Sequence, residues 1–495
     1  MKILLEAYAC RPGCGSEPGV GWNVALETAR AHDVWLLTSA ANRAAVEAGL
    51  AACPEAARIR AHYPDFPTWL WRLLRRRPLH FLHAYLWPWL ALRAARRLHA
   101  RHGFDLAHHV TFASWRYPTW LYRLGVPFVW GPLGGGEAVP PALAGVLGIR
   151  GRLKEGLRAA AQRAGTFDPF VRRAMRSTSL VLAANAATCR FLRRAFGREA
   201  EVLPAIGVEP LPRDEVREDA PPPPFTVASV GVFVPLKAFS LALAAFARAL
   251  GALPAGSRLL LLGDGPERGR LERLARRLAL GPENVRFLGW RTRDEVRRIL
   301  AQSHALLFPS LRDSGGMVLL EAMAAGVPTV GLDHGGPAEI LAADCGFKVP
   351  VGSREDVVRQ LAEALVQLAR EPALARAMGR AARRRVRRFA WRRKRVAMER
   401  VYRRVLAGAS LPRNTRRRQD RKRIDGESRG EAPGFEKKAP SRPTPRLLGS
   451  VLQTSRIPQH RPLPLVRRPH QSCSCAPTGA TPGRRSGEAG LATPP

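Results

Sequence analysis

The chain has 495 residues, 46% of them apolar, and a formal net charge of +40. That length and apolar share supply cores for two or three domains and exclude a chain that is disordered throughout. The cysteines are scattered apart from Cys10 with Cys14 and Cys473 with Cys475, which excludes a disulfide framework and a four-ligand zinc set and fits a reducing compartment. The charge would suit a nucleic acid or an anionic membrane surface. Its arginines, however, are dispersed along helical stretches such as residues 380–396, and no nucleic-acid-binding signature accompanies them. That argues against nucleic acid as a partner and leaves peripheral contact with an anionic membrane.

The segment Met1 to Ala9 runs directly into a strand pattern, with no basic region ahead of a long apolar core, so the expected location is the cytoplasm or the inner face of a membrane. Lys2–Cys10 reads as a buried strand, and the glycine-rich loop that follows leads into a helix near Trp22 and a second strand within residues 31–40. Gly15, Gly19 and Gly21 let that loop turn tightly and approach a ligand, and Glu17 lies among them. Their spacing is not the dinucleotide-binding G-x-G-x-x-G, and no acidic residue ends the second strand. The aromatic stretch from Phe66 to Leu92 is interrupted by Arg72, Arg75, Arg76 and Arg77 and by Pro78 and Pro88. It is too broken to span a bilayer and reads either as an amphipathic element on lipid or as a core helix pair.

Phe104–Val110 is a strand ending in His108 and His109. Adjacent strand residues face opposite sides, so at most one of the two sees a cleft. Gly125–Glu137 is another strand, running into the cluster Gly134, Gly135 and Gly136. Residues 177–185 and 201–210 close this half, and the acidic, proline-rich piece 209–224 reads as a stiff linker. The alternation then repeats, with strands within 225–234, 257–265, 284–290, 305–310 and 328–333 separated by helical patterns. Each half is therefore an α/β unit with a parallel sheet covered on both faces. Lys237 follows the first strand of the second half, past Gly231, where a cation suits either a bound phosphate or a solvated loop. The predicted organisation is an N-terminal domain 1–208, the linker, a second domain 225–385, a returning helix 386–408 and a basic tail 409–495 too poor in apolar periodicity to order itself.

Within the second half, Leu311–Pro328 carries the densest signal. A strand, a glycine turn and a helix start present N–H groups without internal acceptors to an anion. Glu321 sits among Met317, Val318, Leu319, Leu320, Ala322 and Met323 and needs a partner, either a core arginine or a diol such as a ribose.

The words YACRPGCGSEPGVGWNVA, FDLAHHVTFASWRYP, FVWGPLGGGE, SVGVFVPLK, LLGDGPERGRLERLA, VRFLGW and FPSLRDSGGMVLLEAMAAGVPTV with HGGPAEIL occur here in the order found in retaining GT-B glycosyltransferases. The chain to Leu406 resembles glycosyltransferase family 4. The resemblance implies two Rossmann-like domains facing across a cleft, a nucleoside diphosphate sugar held mainly by the C-terminal half, a hydroxyl acceptor (a sugar or a lipid-linked glycan) on the N-terminal half, and no required metal or other cofactor. It implies that Glu321 holds the ribose hydroxyls, that Asp313 stands where the family's first acid faces the donor sugar, and that Gly315, Gly316, Met317 and Val318 offer backbone N–H groups. Lys237 would neutralise the diphosphate, Gly231 and the loop Arg286, Phe287, Leu288 and Gly289 would border the nucleotide, and the N-terminal glycines would face the phosphates. His108 and His109 complete the catalytic candidates. Three departures stand out: Val232 replaces the arginine usual before Lys237, the first acid is a shorter Asp, and residues 131–136 read GPLGGG where many members carry a histidine. Loss of the arginine opens the alternative of a nucleotide-sugar-binding protein with little or no transfer activity.

Overall fold

In the computed structural model, residues 1–67, 70, 80–112, 114–209 and 221–409 are described. Most of the 209–224 linker, the aromatic and basic residues Trp69 to Arg77, and the tail beyond Ala409 lie outside the described residues.

The first half alternates strand and helix: β1 (Lys2–Ala7), α1 (Ser16–Ala29), β2 (Asp33–Leu37), α2 (Arg43–Ala52), β3 (Ile59–His62), α3 (His80–His102), β4 (Leu106–Thr111), β5 (Phe128–Leu133), α4 (Gly148–Gly165), α5 (Pro169–Ser177), β6 (Leu180–Ala183), α6 (Ala186–Phe196) and β7 (Glu201–Val202). The second half repeats the scheme: β8 (Thr226–Val230), α7 (Phe239–Ala249), β9 (Arg258–Leu262), α8 (Arg268–Arg277), β10 (Val285–Gly289), α9 (Arg293–Ala301), β11 (Ala305–Phe308), α10 (Met317–Ala324), β12 (Thr329–Leu332), α11 (Gly335–Ile340) and β13 (Gly346–Val349). Three helices end the described chain: α12 (Arg354–Arg370), α13 (Pro372–Val386) and α14 (Trp391–Ala409).

Two parallel sheets result, ordered β3-β2-β1-β4-β5-β6-β7 and β10-β9-β8-β11-β12-β13. Both faces of the first are covered, as its sequence demands: Ile3 and Leu5 pack into one apolar cluster and Leu4 into another, as side chains alternate along the strand. The strand order reverses between β1 and β4 and between β8 and β11. At such a switch point the flanking loops diverge and leave a crevice beyond the carboxyl ends of the strands.

The halves are tied together behind this crevice. Helix α14 packs on α1, and the Trp391 ring lies so close to Gly207 that a side chain there would clash at 2.7 Å. The Val208 N–H donates to the Phe389 carbonyl. Buried Lys394 donates to the carbonyls of Pro204, Ala205 and Ile206, and burial pulls its ammonium down to about 7.

Candidate functional site

A cavity of about 1010 Å³ opens at both switch points. The loop after β1 brings Gly15 and Glu17, and the one after β4 brings Arg116 and Tyr117. From the loop after β8 come Gly231, Val232 and Lys237, and from that after β11 come Arg312 to Val318. Gly134, Gly135 and Glu137 follow β5, α4 adds Arg158 and Gln162, and α10 adds Glu321.

The turn after β11 is held by Asp313. Its Oδ1 accepts from the N–H groups of Gly315 at 3.0 Å and Gly316 at 2.9 Å, and its Oδ2 accepts from Lys237 Nζ at 2.5 Å. A carboxylate one methylene long reaches its own backbone two and three residues on, the usual geometry of an Asp turn. Gly316 then starts α10 with φ at +75°, a conformation that costs glycine nothing. The expectation that all four residues 315–318 offer N–H groups to a ligand is corrected here, because those of Gly315 and Gly316 are already taken by Asp313. The N–H groups of Met317 and Val318 are in the first turn, where a helix has no internal acceptor.

The adjoining HGGP segment explains itself by packing. Gly336 donates its N–H to the Asp313 carbonyl at 2.7 Å, and a Cβ on Gly336 would meet the Ser314 backbone at 2.7 Å. His334 Nε2 lies 2.8 Å from the Ala138 carbonyl, and Glu339 accepts from the Ala186 N–H at 2.9 Å, so this segment also joins the halves.

Glu321 has an arginine partner: Arg293 Nε donates to Oε1 at 2.9 Å. The partner is not a core group, however. Arg293 itself lines the cavity, beside Trp290 and Arg291. Opposite, Arg312 donates to both oxygens of Glu155 at 2.5 and 2.6 Å, and Glu155 also accepts from Arg158 Nε at 3.0 Å. Burial, and secondly Arg158, push the Arg312 guanidinium below its ordinary value. Buried Glu137 orders the glycine turn after β5, accepting from Gly135 N–H at 3.0 Å and from the side chains of Asn185 and Thr188.

Several expected residues lie elsewhere. His108 and His109 point to opposite faces of β4, as expected, but neither lines the cavity, and both are buried. His108 Nε2 is 2.8 Å from the Gly131 carbonyl, which fixes the proton on that nitrogen and leaves Nδ1 to accept from Tyr402 Oη on α14 at 2.8 Å. Burial lowers the His108 imidazole to about 4. His109 Nδ1 is 2.8 Å from Glu6 Oε2, which also accepts from Thr119. These histidines anchor a helix and a core carboxylate, because the strand residues of a doubly covered sheet face helices rather than the crevice at its end.

Arg286, Phe287, Leu288 and Gly289 also miss the cavity, since they form strand β10; Phe287 packs toward Phe233 at 6.1 Å, and the crevice begins one residue later at Trp290. Gly19 and Gly21 serve packing: a side chain at Gly21 would meet the Ala9 carbonyl at 2.2 Å, and one at Gly19 the Cys14 carbonyl at 2.0 Å. Gly136 packs against Thr188 in the same way, at 2.6 Å. In turn, Trp290, Arg291, Arg293, Arg312, Arg158, Arg116 and Glu137 were absent from the sequence-based site. Arg116, Glu137, Trp290 and Arg312 stood in stretches already singled out, whereas Arg158, Arg291 and Arg293 did not. Among the described residues, no group of three or more His, Cys, Asp or Glu side chains could hold a metal ion.

Two Rossmann-like parallel sheets with a cavity spanning both switch points define the GT-B fold class. Solved structures agree: a sucrose-phosphate synthase from Thermosynechococcus elongatus matches with a TM-score of 0.55 at 20% identity, over 82% of this chain and 99% of that one. Anabaena Alr3699/HepE, solved in complex with UDP, matches with a TM-score of 0.54 at 18% identity, over 81% and 99%. Such identities speak for the fold alone.

Residues 212–385 match the family described as glycosyl transferases group 1. The N-acetyl-alpha-D-glucosaminyl L-malate synthase of Bacillus anthracis is 40% identical over 128 residues, 26% of this chain and 32% of that protein. The lipopolysaccharide core biosynthesis glycosyltransferase LpsE of Rhizobium meliloti is 36% identical over 149 residues, 30% and 42% of the two chains. The chain thus spans less than half the length of these curated relatives.

Proposed function

We propose that the chain transfers a sugar from a nucleoside diphosphate sugar to a hydroxyl acceptor with retention at the anomeric carbon, in the assembly of a glycolipid, polysaccharide or other glycoconjugate. The observation that carries this reading is the convergence of Lys237, the Asp313 turn, the first turn of α10 and the Glu321–Arg293 pair on one cavity at the β8/β11 switch point. An ammonium has three donors, so Lys237 can keep Asp313 and still face a diphosphate. The N–H groups of Met317 and Val318 add the positive end of a helix. Glu321 accepts from a ribose diol, and Arg293 holds its carboxylate in place.

In the transfer, the bond from the anomeric carbon to the diphosphate oxygen breaks while the acceptor oxygen bonds to the same carbon on the same face. The departing phosphate oxygen takes the acceptor's proton. Lys237 stabilises the charge that develops on the leaving group, and the site requires no protein nucleophile. The name of the matched lipopolysaccharide core biosynthesis glycosyltransferase LpsE supports the acceptor class. Assaying transfer and donor hydrolysis across UDP- and GDP-sugars tests the reading. Absence of turnover together with absence of any nucleoside diphosphate thermal shift overturns it.

One observation favours a second reading, in which the protein binds the nucleotide sugar without turning it over. Val232 lines the cavity and is 41% exposed, so an apolar surface stands where the resemblance to glycosyltransferase family 4 leads one to expect an arginine. Under that reading, nucleoside diphosphate binds without turnover and Val232→Arg restores transfer; turnover by the unaltered chain rejects it.

A further inference from the structure

Helix α4 has two faces that do different things. Glu155, Arg158 and Gln162 serve the cavity, and Gly151 packs near Pro235 across to the second half. None of its residues is buried, and on the other side Ile149, Leu153 and Leu157 are 79%, 66% and 64% exposed. At about 100° per residue these positions fall in one stripe with the exposed Ala160 and Ala164, roughly opposite the cavity face. Exposed Arg150 and Lys154 border the stripe on one side, and exposed Arg152 and Arg163 border it on the other. A single exposed leucine means little, but a continuous apolar stripe with basic margins has the pattern of a helix lying in a lipid headgroup layer.

A second element shows the same pattern independently. On α3, Leu82, Leu86 and Trp89 recur at i, i+4 and i+7 and are 45%, 39% and 42% exposed. The Arg93 guanidinium lies 3.6 Å from the Trp89 ring centroid. The Tyr85 hydroxyl donates to Asp168 at 2.8 Å, which ties α3 to the turn after α4, where Phe167 is 74% exposed. Trp87, by contrast, is fully buried, so the two readings of the aromatic stretch divide within one helix.

We propose that this side of the N-terminal half docks on an anionic lipid bilayer. The leucines, Ile149, Trp89 and Phe167 enter the acyl boundary, and the bordering arginines and Lys154 meet the lipid phosphates. A second copy of the chain fits less well, because two such basic margins would repel each other across a two-fold contact. Docking sets the cavity beside the membrane, since the opposite face of α4 supplies Arg158 and Gln162 to it. Presentation of a lipid-linked acceptor at that point rests on the proposed transfer activity; the docking itself does not.

The test is flotation of the full-length protein with vesicles of phosphatidylcholine, with and without phosphatidylglycerol, compared with the variant Ile149→Ser, Leu153→Ser, Leu157→Ser. The three side chains are exposed, and the exchange leaves every charge in place, including those of the basic tail. The protein is expected to float with the anionic vesicles and the variant to partition about tenfold less or weaker, with an unchanged melting temperature. A parent protein that stays in the lipid-free fraction overturns the proposal, as does a variant that floats equally well. Sedimentation equilibrium covers the remaining case: a parent dimer that the substitutions convert to monomer, with flotation unchanged, assigns the stripe to self-association instead. A nucleoside diphosphate thermal shift in the same samples keeps failure of docking distinct from failure of the donor site.

Discussion

The two walls of the cavity are built in different ways. Half of the C-terminal wall comes from one short stretch, Arg312 to Glu321, in which a strand end, a turn and a helix start position their groups through local bonds, with Lys237 added from the loop after β8 and Trp290, Arg291 and Arg293 from the segment after β10. The N-terminal wall is assembled from six separated pieces, after β1, β4, β5, β6 and β7 and along α4, and is held by longer connections such as Glu137 to Asn185 and Glu155 to Arg312. A wall set by local geometry is expected to carry the charge chemistry common to many related proteins. A wall assembled from loops is free to vary with the acceptor.

The sharpest way to break this contrast is to remove one cation from each wall. Lys237→Ala is expected to lower kcat/KM for transfer by about 100- to 1000-fold, the range for loss of one preorganised electrostatic group, and Arg158→Ala by about tenfold or less. Equal losses would erase the distinction between a catalytic and a positioning wall.

Next in size is a pH effect confined to the N-terminal half. Burial lowers His108 from 6.5 to about 4, so between these values the unfolded chain takes up a proton that the folded chain refuses. Stability contributed by the neutral imidazole is therefore complete above pH 6.5 and falls as the pH drops toward 4, by about 3 kcal/mol. Urea unfolding across that window should show a steeper decline for the parent than for His108→Gln. Parallel declines would mean that the His108–Tyr402 contact opens before it titrates.

A smaller loss is expected from packing alone. Gly336→Ala places a methyl group 2.7 Å from the Ser314 backbone and should cost about 1–3 kcal/mol, read as a lowered melting temperature. If instead stability holds and nucleotide binding falls, the Asp313 turn has moved to accommodate the methyl.

The smallest effect concerns the ribose contact. Glu321→Gln keeps the shape and removes the charge, and calorimetry should show about tenfold weaker nucleoside diphosphate binding. Unchanged affinity would reduce Glu321 to the partner of Arg293.

Much of this architecture was legible beforehand because its causes are local. Alternating apolar strands and amphipathic helices dictate parallel sheets covered on both sides, and a helix start after β11 leaves the N–H groups of its first turn, Met317 and Val318, without internal acceptors. Glu321 was conspicuous because a carboxylate among leucines and methionines needs a partner, and Lys237 because it follows a strand end. The fate of His108 and His109 was not legible: alternation shows that they face opposite ways, but only the packed molecule shows Tyr402, almost three hundred residues later, waiting on one side and Glu6 on the other.

The same holds for the arginines. Arg158, Arg293 and Arg312 look like other members of an arginine-rich chain, and their convergence exists only once two sheets meet at their switch points. The exposed stripe of α4 has the apolar period of a core helix, and burial alone distinguishes a face that fills a core from one left to the solvent. Backbone conformation follows from neighbours in the chain, and so it can be read along the sequence. Burial, pairing and the company a side chain keeps follow from neighbours in space, and those were decided by the tertiary fold.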